Sequence, residues 1–230
     1  MASSPTTEKV IPYALLGMTA VTGLVDAVSF LSLGRVFTAN MTGNVVILAF
    51  ATARVPGLSI VRSLTALLAF LVGAILGGRI MARAGVDSQI RFAAQAFVLE
   101  VVFLSVASFC SIGYRSDLLE HSFQPFALIA LTALAMGTRN AAVRKLAIPD
   151  LTTTVLTLTI TGIGADSSLA NGNNPRLARR VASVAAMFLG AALGAVIIRY
   201  SISAALWLGT AISALCSAAL FRSLRTSGQL

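Results

Sequence analysis

Asp26 stands near the middle of an apolar run from 11 to 33, and chemistry has to account for a carboxylate in that place. An ionised side chain at the centre of a membrane helix costs about 2.5–3.5 kcal/mol on insertion scales, so such residues mark ion, proton or solute paths or meet a partner charge. A second carboxylate, Glu100, lies in Val98-Leu-Glu-Val-Val-Phe103 with no polar neighbour in sequence. Both acids are candidates for proton coupling, Glu100 alternatively pairing with an arginine or snorkelling to an interface. Arg139 and Asn140 sit deep in another apolar run, and the spacing predicts that Asp26 faces Arg139 with Asn140 nearby. Such a pair could gate or couple, or simply pin two helices together.

Two polar clusters complete the candidate site. In the first, Asn40, Thr42 and Asn44 surround Gly43 at the start of a short apolar segment. The glycine permits a tight bend, and the amides and hydroxyl can satisfy freed backbone groups or face a solute. Asn40 or Thr42 could equally serve as a helix N-cap. The second cluster is a threonine run, with Thr152, Thr153, Thr154, Thr157, Thr159 and Thr161 following Asp150. In a continuous helix Thr154, Thr157 and Thr161 would share one face and could line a polar path, or their hydroxyls could bond back to the preceding turn. Asp150 reads as an N-cap.

These residues must be positioned by membrane helices. The chain has 230 residues, 57% hydrophobic and 11% charged, which is too little charge to solvate a globular surface. Apolar segments run over 11–33, 41–53, 60–82, 90–113, 124–143, 151–165, 178–199 and 202–222. Six are long enough to span a bilayer; 41–53 and 151–165 have the length of broken or re-entrant helices. The expected fold is an all-α transmembrane bundle forming one integrated membrane domain. A polar N-terminal tail (1–10) is followed by a first membrane repeat (11–113), a second (124–222) and a C-terminal tail (223–230). The first apolar run holds Asp26 and lacks a small-residue cleavage site, so it reads as a retained helix.

The two short segments occupy matching places in an internal repeat. Gly23-Leu-Val-Asp26-Ala27 recurs as Gly137-Thr-Arg-Asn140-Ala141 about half the chain later. A basic turn, a polar stretch and a short helix follow each. Gly73 and Gly77 then match Gly190 and Gly194, small-residue faces suited to close helix packing. If the short segments re-enter, six helices cross, the halves are inverted, and most of the 17 Lys and Arg residues lie on the side holding both termini. That side is then cytoplasmic. If all eight segments cross, the repeats are parallel and the basic residues divide evenly.

The net charge of +9 resides mostly between apolar runs, where it faces anionic headgroups and does not indicate nucleic acid. Cys110 and Cys216 lie inside apolar runs, and the lone His121 leaves no histidine metal cluster. No metal site or cofactor is expected. No phosphate-binding Gly-rich loop and no hydrolase signature occurs, so neither ATP-driven pumping nor enzymatic activity is expected.

The Gly-Leu-Val-Asp-Ala helix, the Phe37-Thr-Ala-Asn-Met-Thr-Gly-Asn44 stretch and the Pro149-Asp-Leu-Thr-Thr-Thr-Val-Leu-Thr run resemble the YoaK family, over nearly the whole chain. That resemblance implies a bacterial polytopic protein of the plasma membrane and transport of a small hydrophobic molecule. The second half lacks a Thr-Gly-Asn after its threonines, so the halves are not equivalent. Together these features predict a secondary transporter or facilitator for a small, neutral or weakly polar solute. Its midplane site draws on Asp26, Asn40, Thr42, Gly43, Asn44, Arg139, Asn140, Thr153, Thr154, Thr157 and Thr161. Few aromatics and the single Trp207 argue against an aromatic-caged cation site. A passive channel, or a structural or regulatory membrane protein, are the alternatives. The partners are the lipid bilayer and an unknown solute, with a homo-oligomer left open.

Overall fold

A computed structural model describes residues 5–85, 88–114 and 122–226. His121 and the outermost parts of both tails, 1–4 and 227–230, lie outside the described residues. Among the described residues the chain forms eight α-helices and no strand: α1 Pro5–Ser32, α2 Met41–Thr52, α3 Ile60–Ala82, α4 Gln89–Cys110, α5 Gln124–Leu146, α6 Thr157–Ala165, α7 Leu177–Ile198 and α8 Ile202–Thr226. Six of them, all but α2 and α6, are long and apolar enough to cross a membrane.

Local chemistry sets the helix ends. The side chain of Asn40 caps α2, accepting from the Gly43 amide, and Ser59 caps α3 in the same way through the Arg62 amide. Pro125 opens the first turn of α5, where a missing N–H costs nothing, and left-handed Ala147 closes that helix. Inside the helices, hydroxyls bond to the turn before them, as Thr19 does to the Leu15 carbonyl (2.8 Å) and Ser108 to the Leu104 carbonyl (2.8 Å). Such side chains enter an apolar bundle with their hydrogen-bonding capacity used internally.

α1 and α5 form the centre. About 61% of the apolar window of each is buried, against 28% for α3 and 17% for α7. α1 packs on α7 and α8, α5 packs on α3 and α4, and α4 meets α8, where Ser108 and Thr210 are hydrogen-bonded at 3.0 Å. The outer faces of α3 and α7 carry exposed Leu68, Leu71, Phe188 and Leu189, as expected of lipid-facing surface.

The core gives the chain directions. One cluster joins late α1 (Val21 to Val28) to early α5 (Leu128 to Met136), late α4 (Leu104, Ala107) and early α8 (Ala205, Leu206). The other joins early α1 (Ile11 to Met18) to late α5 (Ala142, Val143), early α4 (Ala93 to Phe97) and late α8 (Leu220, Leu224). Accordingly α1 and α5 run antiparallel, and the stretches following them emerge at opposite ends of the bundle.

Glycines set how closely the outer helices approach the central ones. A Cβ on Gly73 or Gly77 would overlap the backbone of α5 at Leu134 or Thr138, and one on Gly190 would overlap Ala20 of α1. Gly194 packs on Leu24 and Ala27 of α1. Gly23 meets the Met187 carbonyl and Gly137 the Phe70 carbonyl in the same manner. The α1–α7 and α3–α5 crossings are thus both made at glycines, with backbones brought together by the absence of side chains.

Candidate functional site

Each short helix is preceded by an unwound stretch, 33–40 before α2 and 147–156 before α6. Left-handed residues turn the chain there: Gly34 and Arg35 in the first, Ala147, Asp150 and Thr153 in the second. The freed backbone groups of the first stretch are captured by two side chains. Asp26 Oδ1 accepts from the Thr38 and Ala39 amides at 3.1 and 2.9 Å. Asn44 is fully buried; it accepts from the Phe37 amide at 2.8 Å and donates to the Phe37 carbonyl, closing the turn on both sides. In the second stretch Asn140 accepts from the Thr154 hydroxyl at 2.8 Å.

Two clefts open beside these stretches. One, of about 870 Å³, lies between α1 and α7; Asp26, Phe30, Phe37, Gly43, Thr157 and Met187 are among its lining. The other, of about 750 Å³, lies between α5 and α3 and includes Asn140, Arg144, Lys145, Phe70 and Gly78. Asn40, Thr42 and Val155 line both. On α1 the first cleft extends from Gly23 toward Leu31, and on α5 the second extends from Asn140 toward Lys145. Because α1 and α5 are antiparallel, the clefts run to opposite ends of the bundle from a shared floor.

Asp26, Asn40, Thr42, Gly43, Asn140, Thr154 and Thr157 thus line one or both clefts. Asn44 and Thr153 are buried behind them, and Thr161 is exposed on α6 with its hydroxyl bonded back to the Thr157 carbonyl (2.9 Å). Arg139 lies in the core and does not bond to Asp26 as the spacing predicts. Its Nη1 donates to Glu100 Oε1 at 2.9 Å and its Nη2 to Thr22, with Ser213 donating to the same carboxylate oxygen at 3.0 Å. Both members of this pair are fully buried. Glu100 is therefore not without polar company: α1, α5 and α8 all supply it or its partner with groups that no local sequence window contains.

Two further expectations change. Asp150 does not cap α6, which starts seven residues later; it forms ion pairs with Arg176 (2.8 Å) and Arg180 (3.1 Å). Thr154 does not share a helical face with Thr157 and Thr161, because left-handed Thr153 keeps the chain unwound until Leu156. Arg180, which reads in sequence as a topology charge, is instead buried. It also donates to Asp166 (2.6 Å), Asn174 (3.1 Å) and the Gly162 carbonyl (2.5 Å), tying the C-terminal end of α6 and the loop that follows it to α7. The stacked pair Phe30–Phe37, with centroids 4.9 Å apart, was equally hidden, since its members lie on opposite sides of the turn.

A family profile described as "Protein of unknown function (DUF1275)" matches residues 14–219. Over 155 residues the chain is 37% identical to the UPF0700 transmembrane protein YoaK of Bacillus subtilis (strain 168). That match covers 67% of this chain and 65% of the relative, so the chain spans slightly under two thirds of the relative's length. No solved structure matches.

Proposed function

We propose that this integral membrane protein, which belongs to the DUF1275 family, is a secondary carrier for a small, largely apolar solute bearing one polar group. The observation that supports this reading is the pair of clefts that meet at Asn40, Thr42 and Val155 and run to opposite ends of the bundle. A solute resting on that floor would be reached by one cleft or the other as the α1–α7 unit tilts against the α3–α5 unit. In this reading the halves are inverted copies, the unwound stretches before α2 and α6 supply the polar floor, and six helices cross. The matched glycine crossings favour the same reading, since two units with like internal packing can rock as bodies. Both termini then lie on the basic, cytoplasmic side of a bacterial plasma membrane. Asp26 lines a cleft and is the carboxylate placed to couple a proton; Glu100 is committed to Arg139.

Thiol labelling tests the arrangement without knowledge of the solute. In a Cys110→Ala/Cys216→Ala background, Leu31→Cys and Lys145→Cys mark the two mouths and Thr42→Cys marks the floor. A membrane-impermeant maleimide applied to right-side-out and inverted vesicles should label Leu31→Cys from one face and Lys145→Cys from the other, and Thr42→Cys from either. Labelling of both mouths from the same face, or a Thr42→Cys that never reacts, overturns the carrier reading.

A further inference from the structure

We propose that the α1–α7 cleft selects a cationic head group, an amine carried on an aromatic or aliphatic body. The inference rests on the reading of that cleft as the solute site and adds the sign of the guest's charge. Asp26 lines the cleft, and two backbone amides fix Oδ1 in place, so the carboxylate cannot swing away to find another partner. Among the described residues no Lys, Arg or His forms an ion pair with it; the ion pairs of the helical core and of the loops on either side of α6 go to Glu100, Asp150 and Asp166. Arg139 is within electrostatic reach of Asp26, but its guanidinium is spent on Glu100 and Thr22. A carboxylate at this depth without a fixed counter-charge is complementary to a mobile one.

The walls define the rest of the guest. Phe30 and Phe37 stack beside Asp26, and Leu31, Val46, Ile47 and Met187 continue the apolar lining. An ammonium at the carboxylate would place its apolar body against this surface and present its charge to an aromatic face, and each of these contacts is favourable. The stack is one open pair, not a cage, so it suits a primary or secondary amine better than a quaternary one.

The second cleft lacks the same chemistry. Asn140 stands where Asp26 does, with its Oδ1 already taken by Thr154, and Arg144 and Lys145 line the wall. A cation would be held more tightly on the first-cleft side of the floor than on the second. The two clefts are alike in shape but opposite in charge.

The test uses three probes of one size: 2-phenylethylamine, 2-phenylethanol and phenylacetate, titrated calorimetrically at pH 7 into the full chain in nanodiscs. The amine should bind roughly tenfold or more tighter than the alcohol, with the carboxylate weakest. Asp26→Asn should remove the preference for the amine. Should Asp26→Asn not fold, Val46→Lys, on the exposed wall of the same cleft, should weaken the amine far more than the alcohol. Equal or tighter binding of the alcohol or carboxylate to the unmodified chain overturns the inference, as does an amine preference that survives either variant. If the probe that does bind is weakened by Phe30→Ala, the cleft remains the solute site and only the charge assignment falls. If no probe responds to Phe30→Ala, the cleft reading falls with it.

Discussion

The Glu100–Arg139 pair should behave as a charge-balanced unit whose halves cannot be removed singly. Both side chains are fully buried, and the contact is 2.9 Å between Oε1 and Nη1. Glu100→Gln keeps the shape and an acceptor for Ser213, but strands a guanidinium in the core. Arg139→Met strands the carboxylate instead. Removing one partner of a buried pair costs about 3–5 kcal/mol, because the remaining charge has lost its compensation. The double variant strands no charge: the amide introduced by Glu100→Gln still accepts from Ser213, and the Thr22 hydroxyl still has the Met18 carbonyl at 3.1 Å. Replacing the whole pair should therefore cost less than either single change, giving a large favourable coupling in a double-mutant cycle. Reversible unfolding in mixed micelles, followed by tryptophan fluorescence of Trp207, measures all four stabilities. Single variants within about 1 kcal/mol of the parent would refute the reasoning, since a lone buried charge costs more than that. So would a double variant as unstable as the sum of the singles, because the two residues would then act independently. If the pair only pins α4 to α5, a folded double variant also retains the labelling pattern of the two clefts.

Three other outcomes follow from the packing and the turns. Asn44→Ala opens both hydrogen bonds to Phe37 and should destabilise the protein by about 1–3 kcal/mol, the range for leaving buried backbone groups unsatisfied; proteolysis within 33–44 should rise in parallel. Gly190→Ala overlaps the Ala20 backbone and should abolish recovery of folded protein by size exclusion, whereas Gly78→Ala, with no atom within 4 Å of the added methyl, should be silent. Tyr114 donates to the Ser32 carbonyl at 2.8 Å, and burial pushes its hydroxyl up to about 12. Its contribution is complete below pH 10, the ordinary tyrosine value, and is lost as pH rises toward 12, so Tyr114→Phe should cost about 1 kcal/mol at neutral pH and flatten the alkaline limb of the stability profile.

Sequence alone determined the solvent, the helices and the candidate chemistry. Sparse charge and six long apolar runs require a bilayer, because a helix satisfies its own backbone in lipid and nothing else in this chain could. The short lengths of 41–53 and 151–165 already implied broken helices, and Asn40 capping α2 was a local signal that α2 obeys. Gly73, Gly77, Gly190 and Gly194 likewise announced close contacts, since small residues at helical spacing have few other uses in a membrane. Partners were another matter. Arg139 and Asp26 align in the sequence pattern, yet the guanidinium turns to Glu100, 39 positions away on α4. Asp150 caps nothing and instead joins Arg176 and Arg180 at the start of α7. Charges and hydrogen bonds act over a few ångströms, while sequence spacing fixes only which face of its own helix a residue occupies. Which faces meet, and so which carboxylate is neutralised and which is left looking into a cleft, was decided when the helices packed.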